Sequence, residues 1–460
     1  MKIKIFILSI VLVQCTNANA QSLPPIKQLR AEENYDALLK YDSLRNETFI
    51  NHLKAITLNK SKSIYISLGG EYRPRFEYID NKNWSAANEA DEKFYSQRLM
   101  FHTDVHLGKN VRLFGQIHHG LVSKKAPQYT QSDKLDLHQG FIEISAPIKS
   151  NNFALRAGRQ EMLLGSGRLM AFRDGNNIRR SFDMARLMLN GKAFTSNLFY
   201  GREVKVPNGI FDNNAADAPY TWGLEINANT KKILGNTSLY YIGFDAKSVK
   251  YNDGVSPETR HTIGLRRYGN LGKRFKYNTE INYQFGSFGK KNIGSFSIEG
   301  DWHYHLTNTK FEPDFGIKLD YVSGDKKKGD NKLGTLNPYF NNPAYFGLIT
   351  QINAMNLFDV HPSVKLQFNE NISTTAEADI YWRAQLEDGL YSGSKALLRG
   401  NNGSKSRYIG WQIGLKLEYE INRNVKLSNE TYYFAAGDFI KETGDSKNTF
   451  YNGLTMWIGF

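Results

Sequence analysis

The sequence predicts an all-β fold: a transmembrane antiparallel β-barrel of about 18 strands preceded by a short, partly helical N-terminal segment. Three observations predict it. From Ser63 onward apolar and polar residues alternate with period two over unusually long runs. The chain is polar on average, with a mean hydropathy of -0.51, yet it carries 26 Tyr and 28 Phe, and Gly is abundant. Its last residues, LTMWIGF, place Leu454, Met456, Ile458 and Phe460 on one face of a strand with a terminal aromatic, as outer-membrane barrels do.

The first element is a leader. MKIKIFILSIVLVQCTNANA has two lysines, an apolar run from Ile5 to Val13 and Ala18-Asn19-Ala20 before Gln21, the layout of a cleaved secretory signal over residues 1–20. A lipoprotein signal modified at Cys15 would need a small residue where Gln14 stands. Cys15 is the only cysteine, so a chain cleaved after Ala20 has no disulfide, thiolate nucleophile or cysteine metal ligand. Cleavage removes only Lys2 and Lys4 from a formal charge of +14. An exported protein this basic points to anionic partners.

Residues 21–62 differ from the rest. Leu29, Tyr35, Leu38, Leu39 and Leu44 recur at helical spacing after Pro24 and Pro25, which predicts a periplasmic, partly helical segment or a loosely ordered tail.

Residues 63–460 form the expected barrel. In SIYISLGGEYRPRFEY the even positions Ile64, Ile66, Leu68, Tyr72, Phe76 and Tyr78 suit lipid, and the odd positions Ser67, Glu71, Arg73, Arg75 and Glu77 suit water. RFKYNTEINYQF sets Phe275, Tyr277, Ile281, Tyr283 and Phe285 against Lys276, Asn278, Glu280 and Gln284. YIGWQIGLKLEYEI sets Ile409, Trp411, Ile413, Leu415, Leu417 and Tyr419 against Gln412, Lys416, Glu418 and Glu420. Such runs reach about fifteen residues, roughly twice a soluble sandwich strand. Turn chemistry separates them, as at Gly108-Lys109-Asn110 and Asn422-Arg423-Asn424.

Alternation gives a lumen inventory that includes Glu71, Arg73, Arg75, Arg98, Asp104, Gln116, Glu143, Lys318, Asp320, Glu377, Asp379 and Arg383. Arginines gather in the first half, most densely in FRDGNNIRRSFDMAR, with Arg173, Arg179, Arg180 and Arg186. A guanidinium stays charged and matches carboxylates bidentately, so a ring of them favours anions. The plainer reading of any one arginine is an ion pair with a neighbouring strand, so the functional argument rests on their number.

The run LRAGRQEMLLGSGRLMAFRDGNNIRRSFDMARL, Leu155 to Leu187, resembles the signature region of the alginate export family of outer-membrane β-barrels. GGEYRPRFEY, RLMFHTDVHLGKNVRLFGQ, LDLHQGFIEI and the loop NPYFNNPAYFG resemble other parts of that family in order. The resemblance implies a channel that guides an acidic polysaccharide or uronate oligosaccharide through the outer membrane. Carried onto matching positions, it implies a guiding set of Arg73, Arg75, Arg98, Arg159, Arg168, Arg173, Arg179, Arg180 and Arg186, with Arg383 from the alternation. Asp174 and Asp183 would orient these forks. The chain departs from the family at Asn341-Asn342-Pro343-Ala344 and in the lysine-rich loop SGDKKKGDNK, which leaves the solute open.

No cofactor, metal or nucleic acid is expected. His102 and His106 lie four apart on a strand, about 13 Å, too far for one ion, and His118, His119 and His138 read as polar lining. No Gly-x-Ser-x-Gly elbow or credible triad suggests an enzyme. The expected partners are outer-membrane lipid, an anionic saccharide, and the outer-membrane assembly machinery through the strand ending in Phe460. The alternatives are a general diffusion porin and a plugged structural or adhesin barrel.

Overall fold

Period-two alternation has to be satisfied by strands with lipid on one side and polar groups on the other, and backbone groups in lipid must all pair, which only a closed sheet achieves. The computed structural model describes residues 24–40, 48–85, 92–123, 132–229, 235–346 and 349–460. The expected signal peptide, with Cys15, and Leu44 of the expected N-terminal segment lie outside them.

The chain forms a closed antiparallel barrel of 18 strands. In order these are β1 (Ile64–Asp80), β2 (Glu92–Leu107), β3 (Val111–Val122), β4 (Asp133–Ile148), β5 (Asn151–Gln160) and β6 (Phe182–Asn190). There follow β7 (Phe194–Glu203), β8 (Tyr220–Asn229), β9 (Asn236–Tyr251), β10 (Gly254–Leu271), β11 (Phe275–Phe288) and β12 (Lys291–His305). The last six are β13 (Asp314–Val322), β14 (Leu357–Gln367), β15 (Ile372–Arg383), β16 (Tyr408–Asn422), β17 (Val425–Ala436) and β18 (Thr449–Gly459). Each pairs with its chain neighbours, and β1 closes on β18 from Glu71 opposite Gly459 to Asp80 opposite Phe450.

The start of β1, the end of β18 and the short connections such as 108–110, 149–150 and 423–424 lie at one end of the barrel, here the turn end. The opposite, loop end carries the long connections 161–181, 204–219, 323–356 and 384–407. Gly108, with φ 73°, supplies the left-handed position that one of the tight turns needs.

The alternation holds along the wall. Leu113, Ile117, Leu198, Ile281, Tyr283, Ile413, Leu415 and Leu417 are exposed outward, and Gln116, Asn282, Gln284 and Gln412 are buried inward. Ile409 departs from this pattern. A β-bulge between β15 and β16 pairs Tyr381 with Gly410 and Trp382 with Tyr408, skipping Ile409. Ile409 is fully buried in the apolar cluster at the loop end rather than facing lipid. That cluster fills the lumen beneath the loops, joining Met162, Leu169 and Met170 to Leu336, Tyr339 and Phe340.

The N-terminal segment makes two 3-10 turns, Arg30–Glu32 and Asp36–Leu39, and one short helix, α1 (Phe49–His52), capped by the Thr48 side chain. Tyr35 and Leu38 pack with Ala55 and Tyr65, while Ala31 packs on the inward Phe114 and Phe141. The Arg30 guanidinium donates to the Phe460 carbonyl and ties the two ends of the chain together. The only other α-helix among the described residues is α2 (Asp438–Thr443), in the last long loop.

Register makes a direct prediction. Leu415→Arg, on the lipid face of β16, should cost about 2–4 kcal/mol in lipid-bilayer unfolding titrations, whereas Lys416→Arg, one residue on and inward, should change stability by less than about 0.5 kcal/mol.

Candidate functional site

The chain leaves β5 at Gln160 and returns to the wall at Phe182. Between them, Gly165 and Gly167 adopt φ of 60° and 85°, which lets a Gly-Ser-Gly turn reverse the backbone inside the barrel. On that side the turn is held by β8 to β13. The Gly165 amide donates to Glu225 at 3.0 Å, Arg266 donates to the Gly165 carbonyl at 2.7 Å, and the Ser166 hydroxyl donates to Glu280. Arg168 pairs with Glu299 at 2.6 Å and Asp320 at 3.2 Å, its guanidinium lying over the Tyr345 ring at 4.2 Å.

The other side of the loop meets β1 and β2. Arg98 donates to Asp174 Oδ1 at 2.7 Å and to the carbonyls of Asp174 and Asn176, each at 3.0 Å. Arg73 donates to the same two carbonyls at 2.5 and 2.6 Å. Arg98 also pairs with Glu71 at 2.5 Å and is 0% exposed. Arg98 on β2 and Glu299 on β12 stand almost diametrically apart around the ring of strands, so residues 161–181 cross the lumen. A second loop braces the crossing: the Phe340 amide donates to the Leu169 carbonyl and the Ala171 amide to the Phe340 carbonyl, both at 2.9 Å.

Most of the expected guiding residues are consumed by this bracing. Arg179 pairs with Glu161 at 2.8 Å and donates to the Gln28 carbonyl of the N-terminal segment, and Arg180 pairs with Glu203 at 2.6 Å. Arg75 pairs with Glu430 at 3.2 Å and donates to Tyr451 at 2.7 Å. Arg383 spends its fork on the carbonyls of Leu386, Asp388, Ser404 and Ser406, clamping the loop 384–407 from within.

Arg159 and Asp183 need correcting. They share strand faces with the outward Leu155 and Ala185 and bind each other at 2.8 and 3.1 Å near the loop end, away from the lumen. Their parity with Leu155 and Leu187 in the sequence carries that placement.

Of the expected guiding set, Arg73, Arg173, Arg186 and Arg383 have no carboxylate within 4 Å among the described residues, and the forks of Arg73 and Arg383 are committed to backbone carbonyls. Arg173 holds φ 57°, a conformation that favours glycine, and among the described residues its guanidinium makes one hydrogen bond, a long one to the Gly393 carbonyl at 3.4 Å. A strained, non-glycine backbone at such a point is a feature found at functional positions. Arg186 faces Arg156 across the β5–β6 ladder and donates to Asn197 at 3.1 Å. Lys395, which no sequence motif marks, joins this group: its ammonium donates to the Tyr339 carbonyl at 2.6 Å and lies 5.9 Å from the centre of the Phe340 ring.

The chain's family follows from the sequence match across this architecture. Residues 64–453 match the family model for alginate export. The chain belongs to the alginate export family. No curated protein sequence matches it. Among solved structures it is similar to a BenF-like porin from Pseudomonas fluorescens Pf-5, with 10% identity and a TM-score of 0.57 over 86% of this chain and 98% of that one. It is also similar to Pseudomonas aeruginosa OccK11 (OpdR), with 14% identity and a TM-score of 0.52 over 86% and 96%. A third is P. aeruginosa OccK2 (OpdF) in complex with glucuronate, with 10% identity and a TM-score of 0.55 over 86% and 96%. These likenesses are of fold. Family and fold place this member of the alginate export family in the outer membrane as a channel-type barrel in contact with lipid.

The lumen of this family member has two electrical halves. Against the arginines of β1, β2 and the crossing loop stands an acidic row. Glu280 on β11, Glu299 on β12, Asp320 on β13 and Asp359 on β14 lie directly opposite their neighbours in register and are all buried. Like charges opposed on adjacent strands destabilise a sheet, and Arg168 offsets this at Glu299 and Asp320. Further round, His361 bridges Asp379 and Glu377, while both oxygens of the neighbouring Asp359 are buried without a hydrogen-bond partner. The histidines on β2 to β4 form no metal-sized group among the described residues: His118 and His138 face each other at 5.6 Å, and His102 lies on Phe114.

Burial works to raise the Asp174 pKa, but the guanidinium groups of Arg98, Arg179 and Arg73 outweigh it and hold the carboxyl well below the usual range. A depressed carboxylate stabilises the fold above its unfolded pKa of about 4 and loses that contribution as pH falls through the lower, folded value. Amide hydrogen exchange over 161–181 should therefore stay slow from neutral pH to about 4 and accelerate below it. In Asp174→Asn it should be fast already at neutral pH. Arg98→Met, which removes the closest cation from both Glu71 and Asp174, should destabilise the barrel by about 3–5 kcal/mol in chemical denaturation.

Proposed function

We propose that this outer-membrane channel carries anionic saccharides, an acidic polysaccharide or uronate oligosaccharide, past cations that the crossing loop leaves unpaired. The observation that carries the reading is that Arg173 and Arg186 have no carboxylate within 4 Å among the described residues, while Arg98, Arg168, Arg179 and Arg180 beside them each pair with one. Several loose sites suit conduction better than one tight one. The turn end, where β1 starts and β18 ends, faces the periplasm, because barrels of this kind have short periplasmic turns and longer external loops. The C-terminal strand β18 and Phe460 are the segment offered to the assembly machinery. The glucuronate in the OccK2 complex is a uronate of the chemical class proposed here.

The test is the reversal potential of the purified barrel in a planar bilayer under a salt gradient, with polyuronate oligomers then added. Anion selectivity that falls on Arg173→Gln and Arg186→Gln, with oligomer block of the unaltered channel, is the expected result. The acidic row from Glu280 to Asp359 favours a second reading, a general diffusion porin. That reading requires weak selectivity, unchanged by these substitutions, and no oligomer block.

Lys395 adds a pH dependence. Burial lowers its ammonium pKa to about 8, so its charge is present below that value and is lost as pH rises through it. Anion selectivity should decline between about pH 7 and 9, and Lys395→Arg should flatten that decline.

A further inference from the structure

Away from the crossing loop, at the loop-end rim, three carboxylates from two segments converge. Asp133 and Asp136 stand at the start of β4, and Asp212 lies on the loop 204–219. One oxygen of each lies within 4.8 Å of the others. Asp133 is 0% exposed, and its Oδ1 is buried with no hydrogen-bond partner. The Oδ1 of Asn213, the residue after Asp212, is likewise buried without a partner.

The remaining oxygens are oriented. Asp133 Oδ2 accepts from the Asn213 side-chain amide at 2.7 Å, Asp136 Oδ2 from the Asn213 backbone amide at 2.8 Å, and Asp136 Oδ1 from the Leu137 amide at 2.6 Å. Among the described residues the one cation paired with these carboxylates is Arg159, 3.6 Å from Asp136, and its fork is already committed to Asp183. Three converging carboxylates thus share part of one positive charge. Buried oxygens left without a donor cost about 1–3 kcal/mol each, and more when charged, so the cluster needs a counter-ion.

We propose that Asp133, Asp136 and Asp212, with the Asn213 side-chain oxygen, form a calcium site that fastens the loop 204–219 to the start of β4. Every donor is a hard oxygen, with no sulfur or imidazole, which selects calcium over zinc or copper. Calcium takes oxygens at 2.3–2.6 Å, so ligands on opposite sides of the ion are about 5 Å apart, a span the three carboxylates fit. The metal has a mechanical role here. Without it the loop meets β4 through the Phe211 amide, which donates to the Leu135 carbonyl at 2.9 Å, and through the Asn213 contacts.

The test uses the full chain refolded in detergent from the denatured state, which removes lipopolysaccharide and its own bound cations, and dialysed against EDTA. Isothermal titration with calcium chloride should show saturable uptake of about one equivalent with Kd at or below about 1 mM. Asp212→Asn, on an exposed loop position that the fold does not need, should raise Kd by about tenfold or more. Asp217→Asn, on the same loop but paired with Lys247 outside the cluster, should leave Kd unchanged. Calcium should also slow hydrogen exchange over 204–219. The proposal is overturned if no saturable uptake appears at millimolar calcium, or if Asp212→Asn binds as tightly as the unaltered chain. Equal loss of binding in Asp217→Asn overturns it as well.

Discussion

The buried guanidinium–carboxylate pairs that pin residues 161–181 to two facing walls decide what this barrel is. Without Arg98 on Asp174 and Arg168 on Glu299 and Asp320, nothing in the alternation of the strands would keep the connection 161–181 inside the lumen. Desolvating such groups costs several kcal/mol per ion, and that cost is offset only when geometry and additional hydrogen bonds are good. Arg98 meets the condition with two carboxylates and two carbonyls.

This anchoring explains the density of arginine in the middle of the chain. Met162, Leu164, Leu169 and Met170 pack this loop into the apolar cluster, and at the polar walls on either side it is fastened by charge. Once fastened, it places a few cations where no carboxylate answers them. The bracing arginines and the one proposed to guide solute are therefore neighbours in sequence and differ in whether an acid faces them: Arg179 has Glu161, Arg180 has Glu203, and the Arg173 guanidinium has a long bond to a carbonyl.

Much of this was legible in the sequence. Strand alternation is a local property, so lipid-facing residues such as Ile413, Leu415 and Leu417 and the inward Glu71, Arg73 and Arg98 could be read from parity alone. Parity also separates Arg159 and Asp183, which lie in step with Leu155 and Leu187, from Arg186, but the signature run invites treating all its arginines as one ladder. Ile409 was not legible, because a bulge shifts the register without a mark in composition. Nor was the pairing of Arg168 with strands more than a hundred residues away, since ion-pair partners across a lumen depend on where a loop lands. The role of Lys395 is hidden for the same reason, in a loop whose course is fixed by Arg383 from inside.

The most direct measurement places a thiol at the unpaired position. The one cysteine of the chain is Cys15, so an Arg173→Cys barrel lacking residues 1–20 carries a single reactive group. If the crossing loop lines the conduction path, a negatively charged methanethiosulfonate added during bilayer recording reacts at position 173 and reduces both the current and the anion selectivity. A thiol that never reacts, or that reacts with no change in current, would contradict the account and leave the loop as bracing alone.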